Sequence, residues 1–248
     1  MNALLLAAGE GTRLRPLTEK LPKPMIPIAG KPILQHNIEL LARHGIREIA
    51  INLHHCPEVV RSHFGDGSRF GVSITYSYEP ELLGTAGAVK KLGTSFFQDT
   101  FLVIYGDNRI ECDLHRLLAF HQARAGIATL ALHYREHVTH SGVVALDGSD
   151  RVLQFVEKPR ANQIPSHWVN AGVLVLEPRV LDHIPAGVPS DFGKDILPHL
   201  LEQGERLYGY RLTGDEGIRW IDTPADLERV RQMAEGGMRR LKKAREKA

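Results

Sequence analysis

The sequence has little cysteine and no long apolar run. Its two cysteines, Cys56 and Cys112, are far apart and lack CxxC spacing, which indicates a reducing compartment and no disulfide framework. No segment approaches the roughly 18 apolar residues of a membrane span, and the first residues lack the basic region that opens a secretory signal. We therefore expect a cytoplasmic protein without membrane association.

A strong charge of one sign is also missing, since the formal net charge is +2 over 248 residues. The segment 239–248 contains six basic residues and one acidic residue, so the rest of the chain is mildly acidic. A basic helical tail of this kind is more often a solvated face than a nucleic-acid-binding arm. We therefore expect no nucleic acid among the partners.

The order of apolar and amphipathic segments predicts the fold. Apolar strands alternate with helical segments from ALLLA (3–7) to IATLALHY (127–134), which indicates an α/β fold with a mainly parallel sheet and helices on both faces. Near residue 138 the strands begin to follow one another directly. We predict one domain over 1–248, with a first part over about 1–137, a smaller lobe over about 138–222 and a C-terminal helix over 224–248.

A glycine-rich, cationic segment, AGEGTRLRP (8–16), directly follows the first predicted strand. Gly9 and Gly11 allow the backbone to approach a ligand closely and to turn its N–H groups toward it. Arg13 carries a planar guanidinium that suits phosphate oxygens, and Lys23 adds a cation between two prolines. These features predict an anion-binding loop at the carboxyl end of the strand.

A second polar loop, Gly106-Asp107-Asn108, follows the fourth predicted strand. If the two strands are parallel neighbours, both loops open at the same sheet edge, which is where ligands of open α/β sheets bind. One loop would supply backbone amides and cations, and the other would supply the carboxylate of Asp107. The pair predicts a site for an anionic ligand at this edge of the sheet.

Several familiar nucleotide-binding and metal motifs are absent. No Gly-Lys-Ser/Thr follows the glycines, as a P-loop requires, and Leu14 stands where a dinucleotide fingerprint has its third glycine. ATPase, kinase and dehydrogenase functions are therefore disfavoured. The histidines complete no recognised zinc spacing even where they cluster, at His54–His55 and among His133, His137 and His140.

The segment LLLAAGEGTRLRPLTEKLPKPMIPIAGKPIL closely resembles the signature of the sugar-1-phosphate nucleotidylyltransferases, the nucleotide-sugar pyrophosphorylase family. The resemblance continues in order through LLGTAGAV, YGDN, FVEKP, VNAGVLVLEP, DFGKDILPHL and WIDTP. It implies the Rossmann-like nucleotide-diphospho-sugar transferase fold, with a nucleotide-binding first part and a sugar-binding second lobe. LGTAGA and DFGKDILP look most like the guanylyltransferase branch, which uses mannose-1-phosphate or a manno-heptose-1-phosphate.

The reaction implied by the resemblance is attack of a sugar-1-phosphate oxygen on the α-phosphorus of a nucleoside triphosphate, with release of pyrophosphate. The implied cofactor is Mg²⁺, and the implied partners are the triphosphate and the sugar-1-phosphate; a homodimer stays open. The implied catalytic residues are Arg13, Lys23 and Asp107. The implied nucleotide-binding residues are Leu6, Ala8, Gly9, Gly11, Thr12, Gly84, Thr85, Ala86 and Gly87. The implied sugar-phosphate-binding residues are Asn108, Gly142, Glu157, Lys158, Asn170 and Gly172.

The implied metal ligands are Asp107 and Asp222. The sequence departs from the family pattern at the second of these, because Thr223-Pro224 follow Asp222 without the usual two intervening residues. Asp215 and Glu216 therefore stay open as alternatives.

GTP is the first expectation for the nucleotide. Uridylyl transfer to another sugar-1-phosphate, including N-acetylmuramate-1-phosphate, is the alternative. A non-catalytic regulatory subunit that binds nucleotide sugars is an alternative from another class. It is disfavoured because such relatives usually lose the charged residues that this sequence retains, namely Arg13, Lys23, Asp107 and Lys158.

Overall fold

A computed structural model describes residues 1–245, with side chains described through Ala234. The side chains of the basic segment 239–248 therefore lie outside the described residues. The strands are β1 (Asn2–Leu6), β2 (Pro27–Ile28), β3 (Lys31–Pro32), β4 (Glu48–Leu53), β5 (Ser73–Tyr78), β6 (Phe101–Tyr105), β7 (Arg109–Glu111), β8 (Ala128–Tyr134), β9 (Gly142–Leu146), β10 (Val152–Glu157), β11 (Trp168–Leu176), β12 (Leu207–Arg211) and β13 (Gly217–Arg219). The α-helices are α1 (Ile33–Arg43), α2 (Pro57–Phe64), α3 (Gly84–Phe96), α4 (Leu114–Arg124), α5 (Leu197–Glu202) and α6 (Pro224–Arg245).

Nine strands form the central sheet, in which β10, β9, β11, β6, β1, β4 and β5 are neighbours in that order. The strands β6, β1, β4 and β5 are mutually parallel. The strand β11 pairs antiparallel with β6 and also with β8, and β12 then joins β8 in parallel. Because β1 and β6 are parallel neighbours, the two loops singled out in the sequence do open at the same edge of the sheet.

Helices cover both faces of this sheet, as the apolar strands predicted. Alternate residues of β1 illustrate the two sides: Leu5 is buried in the cluster that contains the apolar faces of α1, α2 and α4. Leu4 is buried in the cluster that contains α3 and α5. The predicted α/β fold class is therefore confirmed.

The helix α1 shows how the sequence pattern specifies these elements. Leu34, Ile38 and Leu41 recur at helical spacing and are fully buried on one face. Pro32 precedes the first turn, where a missing N–H has no cost, and Gly45 ends the segment with a φ of 75°. Packing of this apolar face against the sheet positions α1 relative to the carboxyl ends of β1 and β6, where both polar loops begin.

A two-stranded antiparallel ribbon of β7 and β13 stands apart from the main sheet, with Arg109 opposite Arg219 and Glu111 opposite Gly217. Directly beyond it, Ile221, Leu227 and Val230 pack against the loop that precedes α1. No helix in the described part of the chain combines the length and apolarity that a membrane span needs.

Candidate active site

A cavity of about 350 Å³ lies at the carboxyl ends of β1, β4 and β6. Its lining comes from the end of β1 with the loop that follows it and from six other segments of the chain. It is lined by Leu6, Ala7, Ala8, Gly9, Gly11, Thr12, Arg13, Leu14, Lys23, Pro24, Asn52, Glu79, Leu82, Gly84, Thr85, Tyr105, Asp107, Asp191 and Asp222. The loop after β1 and the carboxyl group after β6 therefore share one cavity.

The conformation and packing of the glycine loop require glycine at Gly11 and leave open space at Gly9. Gly11 has a φ of 64°, and a Cβ there would lie 3.0 Å from side-chain atoms of both Lys23 and Thr18. The Thr18 hydroxyl donates a hydrogen bond of 2.8 Å to the Gly11 carbonyl, which holds the turn closed. At Gly9, a Cβ would meet no described atom within 4 Å, so this glycine leaves open space on the cavity side.

The Lys23 ammonium lies between two carboxylates at the cavity wall. Its Nζ is 2.7 Å from Asp107 Oδ2 and 3.0 Å from Asp222 Oδ1, and the residue is 5% exposed. Burial lowers the pKa of Lys23, but the two aspartates raise it further, so the net pKa lies above its ordinary value. Lys23 is therefore a buried, permanently charged ammonium at neutral pH.

Asp222 reaches the site despite the shortened spacing of its motif. Burial raises its pKa, but Lys23 and then Arg13 lower it further, so the net pKa lies below the ordinary value. The Arg13 Nη2 atom is 3.0 Å from Asp222 Oδ1 and its guanidinium is mostly exposed. Asp215 and Glu216, the open alternatives, line a different cavity, together with residues of α1 and β7.

A buried chain of hydrogen bonds links the ends of β1 and β4 to the segment after β5 at the cavity wall. The Ala7 amide donates to Asn52 Oδ1 at 2.8 Å, and Asn52 Nδ2 donates to Glu79 Oε1 at 2.9 Å. The Leu83 amide donates to Glu79 Oε2 at 3.0 Å. Sequence reasoning missed Asn52 and Glu79, because they stand at strand ends outside any motif.

The GTAG segment that begins α3 contributes only its first half to the cavity lining. Gly84 and Thr85 line it, whereas Ala86 and Gly87 are buried behind it and donate their amides to the Ser190 carbonyl at 2.9 and 3.1 Å. A Cβ at Gly84 would lie 2.4 Å from that same carbonyl oxygen. The close approach of the Ser190 backbone therefore explains why glycine stands at this position.

Thr85 links α3 to the DFGKDILP segment and does not cap its own helix. Its hydroxyl donates to Asp191 Oδ2 at 2.9 Å and accepts the Phe192 amide at 2.8 Å. Asp191 in turn accepts the amides of Gly193 and Lys194 on its other oxygen. Asp191 also lines the cavity, so this motif, which carried no predicted site residue, supplies a fourth carboxylate beside those of Glu79, Asp107 and Asp222.

Glu157 is the last residue of β10, and its carboxylate occupies space that side chains at two neighbouring glycines would fill. A Cβ at Gly142 would lie 2.8 Å from Glu157 Oε2, and one at Gly193 would lie 2.6 Å from it. Burial raises the pKa of Glu157; Lys158 lowers it and Asp191 raises it again, for a net increase. A half-buried carboxyl group held in this way is suited to accept hydroxyl donors.

The remaining residues implied for the sugar-phosphate lie around Glu157 or serve as supports. Lys158 has a φ of 49°, an uncommon backbone conformation for a side-chain-bearing residue, and its Nζ is 3.8 Å from Glu157 Oε1. In β11, Asn170 Oδ1 accepts the Gly172 amide at 3.0 Å within a register shift of the strand. A Cβ at Gly172 would lie 3.0 Å from Tyr105, which lines the cavity.

Asn108 is buried and is not among the cavity-lining residues. Its Oδ1 accepts the Ile221 amide at 3.2 Å, and its Nδ2 donates to Asp107 Oδ1 at 3.1 Å. Asn108 therefore ties the segment that carries Asp222 to the segment that carries Asp107. The geometry gives it the role of a support for the two carboxylates.

The chain was compared with known proteins. Residues 2–227 match the family model described as nucleotidyl transferase. The chain is 40% identical to a UTP–glucose-1-phosphate uridylyltransferase of Synechocystis, over 90% of this chain and 60% of that protein. It is 37% identical to a mannose-1-phosphate guanylyltransferase of Mycobacterium tuberculosis, over 92% of this chain and 63% of that protein. The chain thus spans about 60% of the length of these two relatives.

Solved structures share the fold at lower identity. The structure of HddC from Yersinia pseudotuberculosis is similar with a TM-score of 0.79 and 24% identity, over 94% of this chain and 98% of that one. The match to the family model covers most of the chain, and its residues include the glycine loop, Lys23 and all three aspartates of the cavity. The chain therefore belongs to the nucleotidyl transferase family.

Proposed function

We propose that this protein transfers a nucleotidyl group from a nucleoside triphosphate to a sugar-1-phosphate. An oxygen of the sugar phosphate forms a bond to the α-phosphorus, the bond from that phosphorus to the bridging oxygen breaks, and pyrophosphate leaves. The observation that carries the proposal is the meeting of the glycine loop, Arg13, Lys23, Asp107 and Asp222 in one cavity. Because the nucleophile is already an anion, the reaction needs positioning and charge stabilisation more than a general base.

The cations of the cavity are suited to the charges of this reaction. The glycine loop presents backbone amides to the triphosphate, as in an anion-binding nest. Arg13 is mostly exposed at the cavity mouth and can turn its guanidinium from Asp222 to the departing pyrophosphate. Lys23 is buried deeper and is placed to stabilise charge on the α-phosphate.

The donor set beside Lys23 fits Mg²⁺. Asp107 and Asp222 both approach one ammonium, so their oxygens converge on a small region that favours a positive charge. A magnesium ion held by one or two carboxylates and substrate phosphates would neutralise charge on the transferring group. Asn108 holds the two carboxylate-bearing segments together and so orients them toward that position.

Glu79 supports guanine as the preferred base. Its carboxylate lies in the cavity wall, and each oxygen accepts one N–H group of the protein, which leaves each oxygen a further lone pair. Guanine presents two adjacent donors, N1–H and N2–H₂, on its pairing edge. Uracil presents one donor flanked by two carbonyl oxygens, which a carboxylate would repel. GTP is therefore our proposal, with UTP as the alternative, since one relative is a uridylyltransferase.

The sugar-1-phosphate is proposed to lie near β10 and β11. Glu157 would accept sugar hydroxyls, and Lys158 would approach the sugar phosphate. Asn170 and Gly172 would shape the pocket from β11, where Gly172 contacts Tyr105. Mannose-1-phosphate or a manno-heptose-1-phosphate is our first choice, because of the guanylyltransferase relative and the Glu79 carboxylate.

Pyrophosphate release tests the function directly. The five common nucleoside triphosphates are each combined with a panel of sugar-1-phosphates that includes those of mannose, glucose and N-acetylmuramate, with Mg²⁺ present. We expect turnover with GTP and a manno-configured sugar phosphate. Binding of nucleotide sugars without turnover of any pair would instead support the regulatory-subunit alternative.

Base choice is tested by exchanging Glu79 for Gln. The exchange replaces one acceptor by a donor, so the ratio of kcat/KM for GTP to that for UTP should fall by about 10-fold or more. Glu81→Gln is the matched control, because this exposed carboxylate lies on the same segment and outside the cavity lining. An unchanged ratio in Glu79→Gln would remove Glu79 from base recognition.

A further inference from the structure

A group of three potential metal ligands lies away from the nucleotide cavity. His44, Asp113 and His115 each offer one ligand atom, and these atoms all lie within 4.8 Å of one another. His44 follows the last turn of α1, whereas Asp113 and His115 begin α4. No sequence motif joins them, because some 70 residues separate the first from the others.

The local hydrogen bonds already orient two of the three residues. His44 Nδ1 is 2.9 Å from the Leu40 carbonyl oxygen, which can only accept, so Nδ1 carries the proton and Nε2 presents its lone pair. That Nε2 atom is 3.7 Å from Asp113 Oδ1. Histidine ligands of protein metals are commonly fixed by such a hydrogen bond from the other ring nitrogen.

The third residue can complete the set by a small movement. The His115 ring centroid is 4.8 Å from that of His44, and the side chain of His115 is exposed. Ligand atoms around a tetrahedral zinc ion are about 3.3 Å apart, given metal–ligand distances of about 2.0–2.1 Å. A change of rotamer brings the exposed His115 imidazole from the observed separation of up to 4.8 Å to the shorter spacing around a zinc ion. The His115 backbone amide meanwhile keeps its 3.0 Å hydrogen bond to Asp113 Oδ1.

We propose that His44, Asp113 and His115 form a second metal site, for a divalent transition-metal ion of the zinc type. Two imidazoles and one carboxylate suit Zn²⁺, Co²⁺ or Ni²⁺ and do not suit Mg²⁺, which prefers oxygen ligands alone. The neighbouring thiol of Cys112 is not among the converging ligand atoms. The bound ion joins the end of α1 to the start of α4.

Its place in the fold gives the site a structural role. Asp113 stands just after β7, and its amide donates to Glu216 Oε1 at 2.9 Å, just before β13. The same ribbon leads at its other end to Asp107 and Asp222. An ion at this position fastens the far end of the ribbon to α1 without contacting the nucleotide cavity.

The test is a calorimetric titration of the metal-free protein with Zn²⁺ in excess Mg²⁺, which blocks the carboxylates of the nucleotide cavity. We expect one Zn²⁺ ion per chain in the wild type and more than about 10-fold weaker binding in His115→Ala. His199→Ala is the matched control, because His199 belongs to another histidine pair. Its ring centroid lies 5.7 Å from that of His183.

A second readout separates metal binding from damage to the fold. Zn²⁺ should raise the melting temperature of the wild type and of His199→Ala but not that of His115→Ala, while all three melt alike in EDTA. Zinc affinity that is equal in wild type and His115→Ala, or that is lost in His199→Ala, would overturn the proposal.

Discussion

Replacing Lys23 by Met tests the charge balance at the centre of the site. Removing one partner of a fully buried ion pair costs about 3–5 kcal/mol, because it leaves an uncompensated charge. Asp107 and Asp222 keep 36% and 30% of their side-chain surface exposed, so water screens part of that cost. We therefore expect the free energy of unfolding to fall by about 2 kcal/mol in metal-free buffer.

Urea unfolding with and without Mg²⁺ measures this effect. Millimolar Mg²⁺ should restore part of the lost stability, because a dication can take the place of the missing ammonium between the two carboxylates. Lys31→Met is the matched control: Lys31 forms an exposed pair with Glu39 at 2.8 Å, and its loss should cost less than about 1 kcal/mol at any Mg²⁺ concentration. A Lys23→Met protein as stable as wild type in EDTA, or equally weakened with and without Mg²⁺, would refute the reasoning.

Three further predictions concern the same cavity. Arg13→Ala should lower kcat by about 100-fold with an unchanged melting temperature, since the exposed guanidinium acts on charge that develops during the reaction; wild-type turnover in the pyrophosphate assay would contradict this. Asp107→Asn should shift the Mg²⁺ dependence of turnover to much higher concentrations, and an identical titration curve would exclude Asp107 as a ligand. Folding lowers the pKa of Asp222, so its ionised carboxylate stabilises the protein at pH values above its ordinary pKa of 3.8. This contribution to stability is lost as the pH falls through the lower pKa of the folded protein. Urea unfolding near pH 6 and near pH 3 should therefore show a smaller acid-induced loss in Asp222→Asn than in wild type, and equal losses would contradict the assignment.

Much of the fold follows from local pattern. The apolar runs that became β1 and β6 and the helical spacing of Leu34, Ile38 and Leu41 were readable because burial on a regular face imposes a period. The short strands β2, β3, β7 and β13 were harder to predict. They are two or three residues long and depend on pairing with distant segments.

The residues of the candidate site were also predictable only in part. The glycine loop, Lys23 and Asp107 could be predicted because each belongs to a contiguous motif at a strand end. Glu79 and Asn52 could not, since their importance depends on a hydrogen bond between two strands that only the folded sheet brings together. The position of Asp222 was open for a related reason: ribbon pairing sets it, and not the spacing within its motif.

The ribbon has a consequence for how this enzyme family can diversify. Asp107 and Asp222 stand at the same end of two short strands held in one antiparallel register, with Asn108 bonded across them. Their mutual distance is therefore a local quantity, independent of how β10 and β11, the strands proposed to bind the sugar, are arranged. Mutations that remodel the acceptor pocket can alter substrate choice while leaving the spacing of the paired acids untouched, whereas a one-residue deletion in either short strand would separate them at once.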